Sequence, residues 1–274
     1  MVVEAGDPRP IGVFDSGVGG LTVARAIIDL LPHESVIYVG DSARFPYGPR
    51  PLDEIRTFAL QIAGYLISRD VKILVVACNS VQVSAIGDIT VRSTVPVIGV
   101  IDPGARAAAR ATRTGVVGVI GTQATIKSGA YQRALGSQVR LHAASCPVFV
   151  EHVERGDTTS DVLRRAAAEY LSPLKEAGID TLILGCTHYP LLSGLIQMEL
   201  GPGVVLVSSA EETAKDVYAT LVSEGLEAPA GSIPKHEFLC TGDEGRFEEL
   251  AGLFLGPETS DLEARRIEPE PAWS

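Results

Sequence analysis

Long apolar runs are missing from this 274-residue chain, and none approaches the ~18 consecutive apolar residues of a membrane span. The opening stretch "MVVEAGDPRP" lacks the basic and apolar regions of a secretory signal. Both absences predict a soluble, cytoplasmic protein with no membrane partner. Positive charge is scarce: 23 Lys and Arg stand against 34 Asp and Glu, for a formal net charge of −11. Nucleic acid and anionic lipid surfaces need basic faces, so neither is expected as a main partner. A small anionic substrate stays open, because its binding depends on local groups.

Cysteine is also sparse. Four cysteines in a cytoplasmic chain of this size read as thiols rather than as a disulfide framework. No CxxC or Cys/His pair has zinc-ligand spacing, so no metal is expected. Pyridoxal phosphate needs a Schiff-base lysine. The lysines are Lys72, Lys127, Lys175, Lys215 and Lys235, and none follows a strand in a Gly- or Ser-rich turn. The stretch "DSGVGG" (15–20) falls short of the dinucleotide fingerprint, because Thr22 stands where the third glycine is required. Asp15 would also set negative charge against a pyrophosphate. Asp41, placed where a ribose-binding acid would be, is the one feature on the other side. The expectation is an absence of cofactors.

What is present is alternation. Short runs that look like strands, most of them rich in Val and Ile, occur at 11–14, 36–39, 73–77, 97–101, 116–120, 139–144, 181–185 and 204–207. Without apolar/polar alternation they suit strands covered on both faces, as in parallel sheets. Between them lie segments of helical period. Leu52, Ile55, Phe58, Ile62 and Leu66 share one face, and "DVLRRAAAEYLSPLKEAG" and "AEETAKDVYATLVSEG" each end in a glycine stop. The pattern predicts an α/β fold with parallel sheets flanked by helices.

The two halves are alike. "IGVFDSGVGGL" aligns with "VGVIGTQATIK", and "ILVVACNS" aligns at nearly the same offset with "TLILGCTH". The reading is two similar lobes with the active site in the cleft between them. The first covers 1–102 and is completed by 211–274, and the second covers 103–210. The tail "IEPEPAWS" is expected to be loosely held.

Ligands of open parallel sheets bind beyond the carboxyl ends of the strands. Asp15, Ser16, Cys78, Asn79, Ser80, Thr122, Cys186, Thr187 and His188 all fall there. A lone cysteine in an apolar strand is usually a small core residue, and that reading suits Cys146 and Cys240. Cys78 and Cys186 differ, since each ends a strand and is followed by polar groups able to cap a helix. A helix N-terminus would lower a thiol's pKa and favour thiolate. His188 beside Cys186 could tune it or shuttle a proton, although a single histidine is more often structural. Asp15 either caps the turn before "GVGG" or assists Cys78. Thr122 and Thr125 either cap the next helix or donate to a bound carboxylate. Two opposed thiols without a cofactor suit proton removal from a carbon on one face and proton return to the other. Asn79, Ser80, Thr122 and Thr187 are neutral donors for the charge that develops.

With these residues in view, the chain resembles the glutamate racemases of the aspartate/glutamate racemase superfamily. The resemblance is carried by "IGVFDSGVGGLTV", "YVGDSARFPYG", "VACNS", "GVIGTQATIKSGAYQ" and "LGCTHYPLL", in order over about residues 11–192. It implies cofactor-independent interconversion of L- and D-glutamate, supplying D-glutamate for peptidoglycan in cell-wall synthesis, by a protein that is commonly a homodimer. It implies that Cys78 and Cys186 are the two catalytic bases, with Cys78 working on the D-enantiomer and Cys186 on the L-enantiomer. Asp15-Ser16, Tyr47-Gly48, Asn79-Ser80 and Thr187-His188 match substrate-binding pairs, and Glu154 matches an auxiliary acid. Two positions depart from the pattern: Ser80 replaces the usual threonine, and Glu151 replaces a frequent proline in "CPVFVEHVE". His188 favours glutamate over aspartate as substrate. The alternatives are another two-thiol enzyme such as an aspartate racemase, and a two-lobed solute-binding protein without catalysis.

Overall fold

The computed structural model describes residues 6–256, 262–269 and 273. Among the described residues ten strands form two sheets, and every strand pairing is parallel. The first sheet contains β1 (Ile11–Asp15), β2 (Val36–Gly40), β3 (Ile73–Val76) and β4 (Val97–Gly99). The second contains β5 (Val116–Gly121), β6 (Arg140–Ser145), β7 (Thr181–Gly185) and β8 (Val205–Val207). Two further strands, β9 (His236–Cys240) and β10 (Ala264–Arg266), return to the first sheet. Its order is β10-β9-β2-β1-β3-β4, and that of the second is β6-β5-β7-β8. The order β2-β1-β3-β4 therefore recurs as β6-β5-β7-β8, which is the repeat seen in the sequence expressed as topology.

The helices are α1 (Leu21–Leu30), α2 (Leu52–Ser68), α3 (Asn79–Arg92), α4 (Ile101–Ala111), α5 (Gln123–Ser128) and α6 (Ala130–Leu135). They continue with α7 (Pro147–Glu154), α8 (Asp161–Glu176), α9 (Ser193–Leu200), α10 (Ala210–Glu224) and α11 (Glu244–Leu255). Each sheet buries both faces. Val13, Tyr38 and Val75 meet α1, α10 and α11 on one side of the first sheet, while Phe14, Leu74 and Val76 meet α2 and α3 on the other. The second sheet is covered by α7, α8 and α9 on one face and by α4 and α6 on the other. Two-sided burial is why these strands read as continuous apolar runs. In α2, Ile55, Ile62 and Leu66 are fully buried as expected, each worth about 1.5–3 kcal/mol, but Leu52 is exposed at the first turn.

Parallel strands need long crossovers, and the links here place chemistry at the strand ends. In each sheet the central strand has its neighbours on opposite sides, so the crevice between β1 and β3, and that between β5 and β7, are switch points where ligands bind. No helix among the described residues is long and apolar enough to cross a membrane. The tail is tied down more than the sequence suggested: Ile267 and Trp273 pack against the first sheet's core. The remainder of that stretch, 270–272 and 274, lies outside the described residues.

Candidate active site

The two switch points face one cavity of about 120 Å³, well below the ~300–1,000 Å³ of drug-sized sites. Cys78 follows β3 and Cys186 follows β7, and both line it. So do Ser16, Tyr47, Gly48, Asn79, Ser80, Thr122, Thr187 and His188. Asp15, Thr125 and Glu154, expected among the catalytic or substrate-binding groups, stand one layer behind the wall. Asp15 ends β1 with its Oδ2 accepting from the Gly20 amide at 2.9 Å. That contact is the turn-capping role, and the carboxylate nevertheless acts electrostatically on Cys78. Thr125 lies one turn along α5, with its hydroxyl 3.0 Å from that of Thr122. Glu154 is reached through His188.

The local sequence explains how the groups come together. Cys78 occupies the N-cap position of α3 in extended conformation, and no side chain caps that helix. The expectation that Asn79 or Ser80 would do so is corrected here. The Asn79 Oδ1 instead accepts from the Tyr131 hydroxyl at 2.8 Å, and Ser80 meets Thr122 at 2.9 Å. Both contacts bridge the lobes. Asn79 Nδ2 and Asp15 Oδ1 are buried without a hydrogen-bond partner among the described residues. An unpaired amide donor in a cavity wall is positioned to meet an acceptor inside that cavity. Thr187 does not cap a helix either. A short 3₁₀ turn (Tyr189–Leu192) follows, with Pro190 near its start. Thr122 does cap α5, accepting from the Thr125 amide.

Two glycines of "GVGG" serve close approach, Gly19 between the lobes and Gly20 within the first lobe. A Cβ at Gly19 would lie 2.4 Å from Thr187 Oγ1 and 2.5 Å from His188 Nδ1, and one at Gly20 would lie 2.5 Å from the Asp15 Cβ.

The two thiols have different surroundings. Burial pushes the Cys78 thiol well up, and the Asp15 carboxylate adds to the effect. The hydrogen bonds with the Val81 backbone and with the Ser16 hydroxyl, which accepts from the thiol at 3.6 Å, only partly offset this. Burial and the Asp15 charge thus oppose the thiolate that the helix N-terminus was expected to favour at Cys78. Cys186 Sγ lies 3.8 Å from His188 Nδ1, and His188 Nε2 lies 3.0 Å from Glu154 Oε1. Burial alone would lower the His188 pKa, but hydrogen bonds and charge from Cys186 and Glu154 outweigh it and raise it to about 10. The direction of the shift favours the protonated imidazole beside Cys186.

A pH dependence follows. The folded-state pKa of His188 exceeds the unfolded value of ~6.5, so the stability it contributes is complete below that pH and is lost as pH rises toward about 10. Unfolding free energy, measured by denaturant titration, is expected to fall across this window. His188→Asn should flatten the fall, and an unchanged slope would rule out a protonated His188.

Several parts of the wall were not expected there from sequence, among them Cys146, read as a core residue, and Glu151, noted only as a departure from the family pattern. Phe45, Pro46, Pro49, Gln123, Cys146, Pro147, Val150 and Glu151 also line the cavity. Phe45 packs 5.7 Å from the His188 ring, and Phe254 of α11 meets its other side edge-on at 5.5 Å. The loop carrying Phe45 and Tyr47 is pinned by Asp41, a fully buried carboxylate. It accepts from the Tyr47 hydroxyl, from Arg44 Nε at 2.7 Å and from Thr241 Oγ1 at 2.7 Å. Asp41, considered above as a ribose ligand, is thus a structural brace.

Comparison with known proteins agrees with this geometry. A glutamate racemase of Beutenbergia cavernae is 54% identical over 267 residues, covering 92% of this chain and 91% of that one. The crystal structure of glutamate racemase from Thermus thermophilus in complex with β-chloro-D-alanine is 46% identical. It covers 97% of this chain and 100% of its own, with a TM-score of 0.85. That of glutamate racemase from Francisella tularensis in complex with D-glutamate is 34% identical, with coverages of 96% and 98% and a TM-score of 0.88. The profile of the Asp/Glu/hydantoin racemase family matches residues 11–217, and the chain belongs to that family.

Proposed function

We propose that this chain interconverts L- and D-glutamate without a cofactor, Cys78 and Cys186 serving as the two bases. The observation that carries the reading is the pair of buried cysteines contributed by equivalent strand ends of the two lobes to one small cavity. The match to relatives named glutamate racemase over nearly the whole chain supports glutamate as the substrate.

In the L-to-D direction Cys186 takes the α-proton and Cys78 returns one to the opposite face. Cys78 rests as the thiol, which is the donating form. In the reverse direction it must first lose that proton, and a bound ammonium group nearby would ease the loss by opposing the charge of Asp15. Asn79, Ser80, Thr122 and Thr187 offer donors to the substrate carboxylates. His188, held by Glu154, supplies positive charge and a proton path beside Cys186. Glu154 in this reading positions His188 rather than touching substrate. A cytoplasmic homodimer feeding D-glutamate to peptidoglycan synthesis, built from lobes 1–102 with 211–274 and 103–210, completes the proposal. Sedimentation of the purified protein tests the dimer.

The decisive experiment is carried out in D2O. Starting from L-glutamate at low conversion, the D-glutamate formed should carry deuterium at the α-carbon, and the remaining L-glutamate should carry almost none. A single base reaching both faces would label both pools or carry the original hydrogen across. Mass spectrometry of the separated enantiomers decides, and unlabelled D-product would sink the two-base assignment. Comparison of L-glutamate with L-aspartate turnover separates this reading from that of an aspartate racemase.

A further inference from the structure

The rim of the cavity differs in character from its floor. Cys78, Asn79, Ser80, Cys186 and His188 on the floor are buried, whereas Pro49, Gln123, Pro147 and Glu151 line the same cavity and are exposed. Among the described residues lining it, Glu151 carries the one carboxylate. Its side chain is 60% exposed, and the nearest cation, Arg155 Nη2, is 3.6 Å away on a side chain 73% exposed. A solvated pair of that kind neutralises little. A site read as taking an anion therefore has a negative charge at its entrance.

We propose that Glu151 is a specificity-determining residue, a charge filter at the mouth that favours the singly negative amino acid over doubly negative acids lacking an ammonium group. The inference rests on the glutamate reading of the cavity. Glutamate carries two carboxylates and one ammonium. A dicarboxylate of the same length with a keto group in place of the ammonium carries one more negative charge, so it meets the rim carboxylate with about twice the repulsion. Two unit charges ~8 Å apart in water interact enough to change an equilibrium constant about twofold, and more where the protein wall displaces solvent. The charge on α7 thus discriminates by valence, which the neutral donors on the floor do not do. The cost is a slower approach of the true substrate, and salt relieves it.

A charge series tests this: Glu151→Gln and Glu151→Lys beside the parent protein, at low and high ionic strength. At low salt, kcat/KM for L-glutamate should rise about two- to fourfold at each step, with the change in KM rather than kcat. The Kd of 2-oxoglutarate, measured by calorimetry, should fall by roughly the square of the factor seen for glutamate. Both trends should shrink at high salt. Arg155→Gln should move both in the opposite direction. Equal factors for glutamate and 2-oxoglutarate, or gains that persist at high salt, would show a steric effect and overturn the filter. So would failure of 2-oxoglutarate to bind any of the three proteins. Absence of glutamate turnover in the parent protein would instead remove the functional reading, while the calorimetric series would still report on the rim charge.

Discussion

Cys78→Ala and Cys186→Ala are each expected to lower racemisation in both directions by roughly a thousandfold, the order of what a positioned proton-transfer group supplies. Neither direction survives the loss of one sulfur, because each needs a base on one face of the α-carbon and an acid on the other. Cys240→Ala is the control: Cys240 ends β9 and does not line the cavity. Cys146→Ala should likewise keep most activity. Cys146 is fully buried in the wall, and among the described residues its sulfur makes a long contact, 4.0 Å, to the Ala144 carbonyl. Polarimetry with L- and D-glutamate, beside circular dichroism to verify folding, gives the result. A folded Cys78→Ala or Cys186→Ala protein with near-parental rates would remove the two-thiol mechanism.

The second large effect is expected at a residue without a side chain. Gly19→Val should cost about a hundredfold in kcat/KM, the scale of a 1 Å misplacement of reacting groups. The added atoms would occupy the space of Thr187 Oγ1 and the His188 ring. Either those side chains move away from Cys186, or the lobes part and the contacts Ser80–Thr122 and Tyr131–Asn79 lengthen. Both outcomes disturb the site while leaving each lobe's core intact. Thermal unfolding should therefore shift much less than turnover. A variant that is fully active would show that the lobes tolerate a wider separation.

Much of this molecule was legible in its sequence because its chemistry sits at the ends of apolar strands. β1 to β5 and β7 announce themselves as Val/Ile runs, since helices cover both faces, and Cys78 and Cys186 are conspicuous at the ends of two such runs; β6 ("RLHAAS") and β8 ("VLV") lie at the edges of their sheet and are more exposed. β9 and β10 were not legible: "HEFLC" is half polar, and "ARR" is a three-residue strand at the sheet edge. The contact of Phe254 with His188 and the place of Glu151 in the cavity wall were not legible for a different reason. Both residues reach the site from helices far along the chain, and a helical residue facing a cavity has the same local pattern as one facing solvent. Capping was misjudged at Asn79 because side chains that form a ligand wall do not satisfy their own helix. At Cys78 the helix-end dipole, which favours thiolate, is opposed by burial and by the charge of Asp15, neither of which shows in the local sequence.

The pairing of β2 with β9 has a consequence for synthesis. β2 is an early element, yet its outer neighbour is supplied some 200 residues later, as the contact between Asp41 and Thr241 marks. At ~5–20 residues per second a ribosome needs about 10–40 s to cover that interval. Throughout it, the nascent first sheet presents an unpaired edge of apolar residues, Val36 to Val39, the kind of template that recruits strands from neighbouring chains. The second sheet, whose strands all lie between residues 116 and 207, can close while the first is still waiting. Loss of the last forty residues would leave that edge open permanently, so C-terminal truncation should fail by aggregation in the cell before any defect in catalysis could be measured.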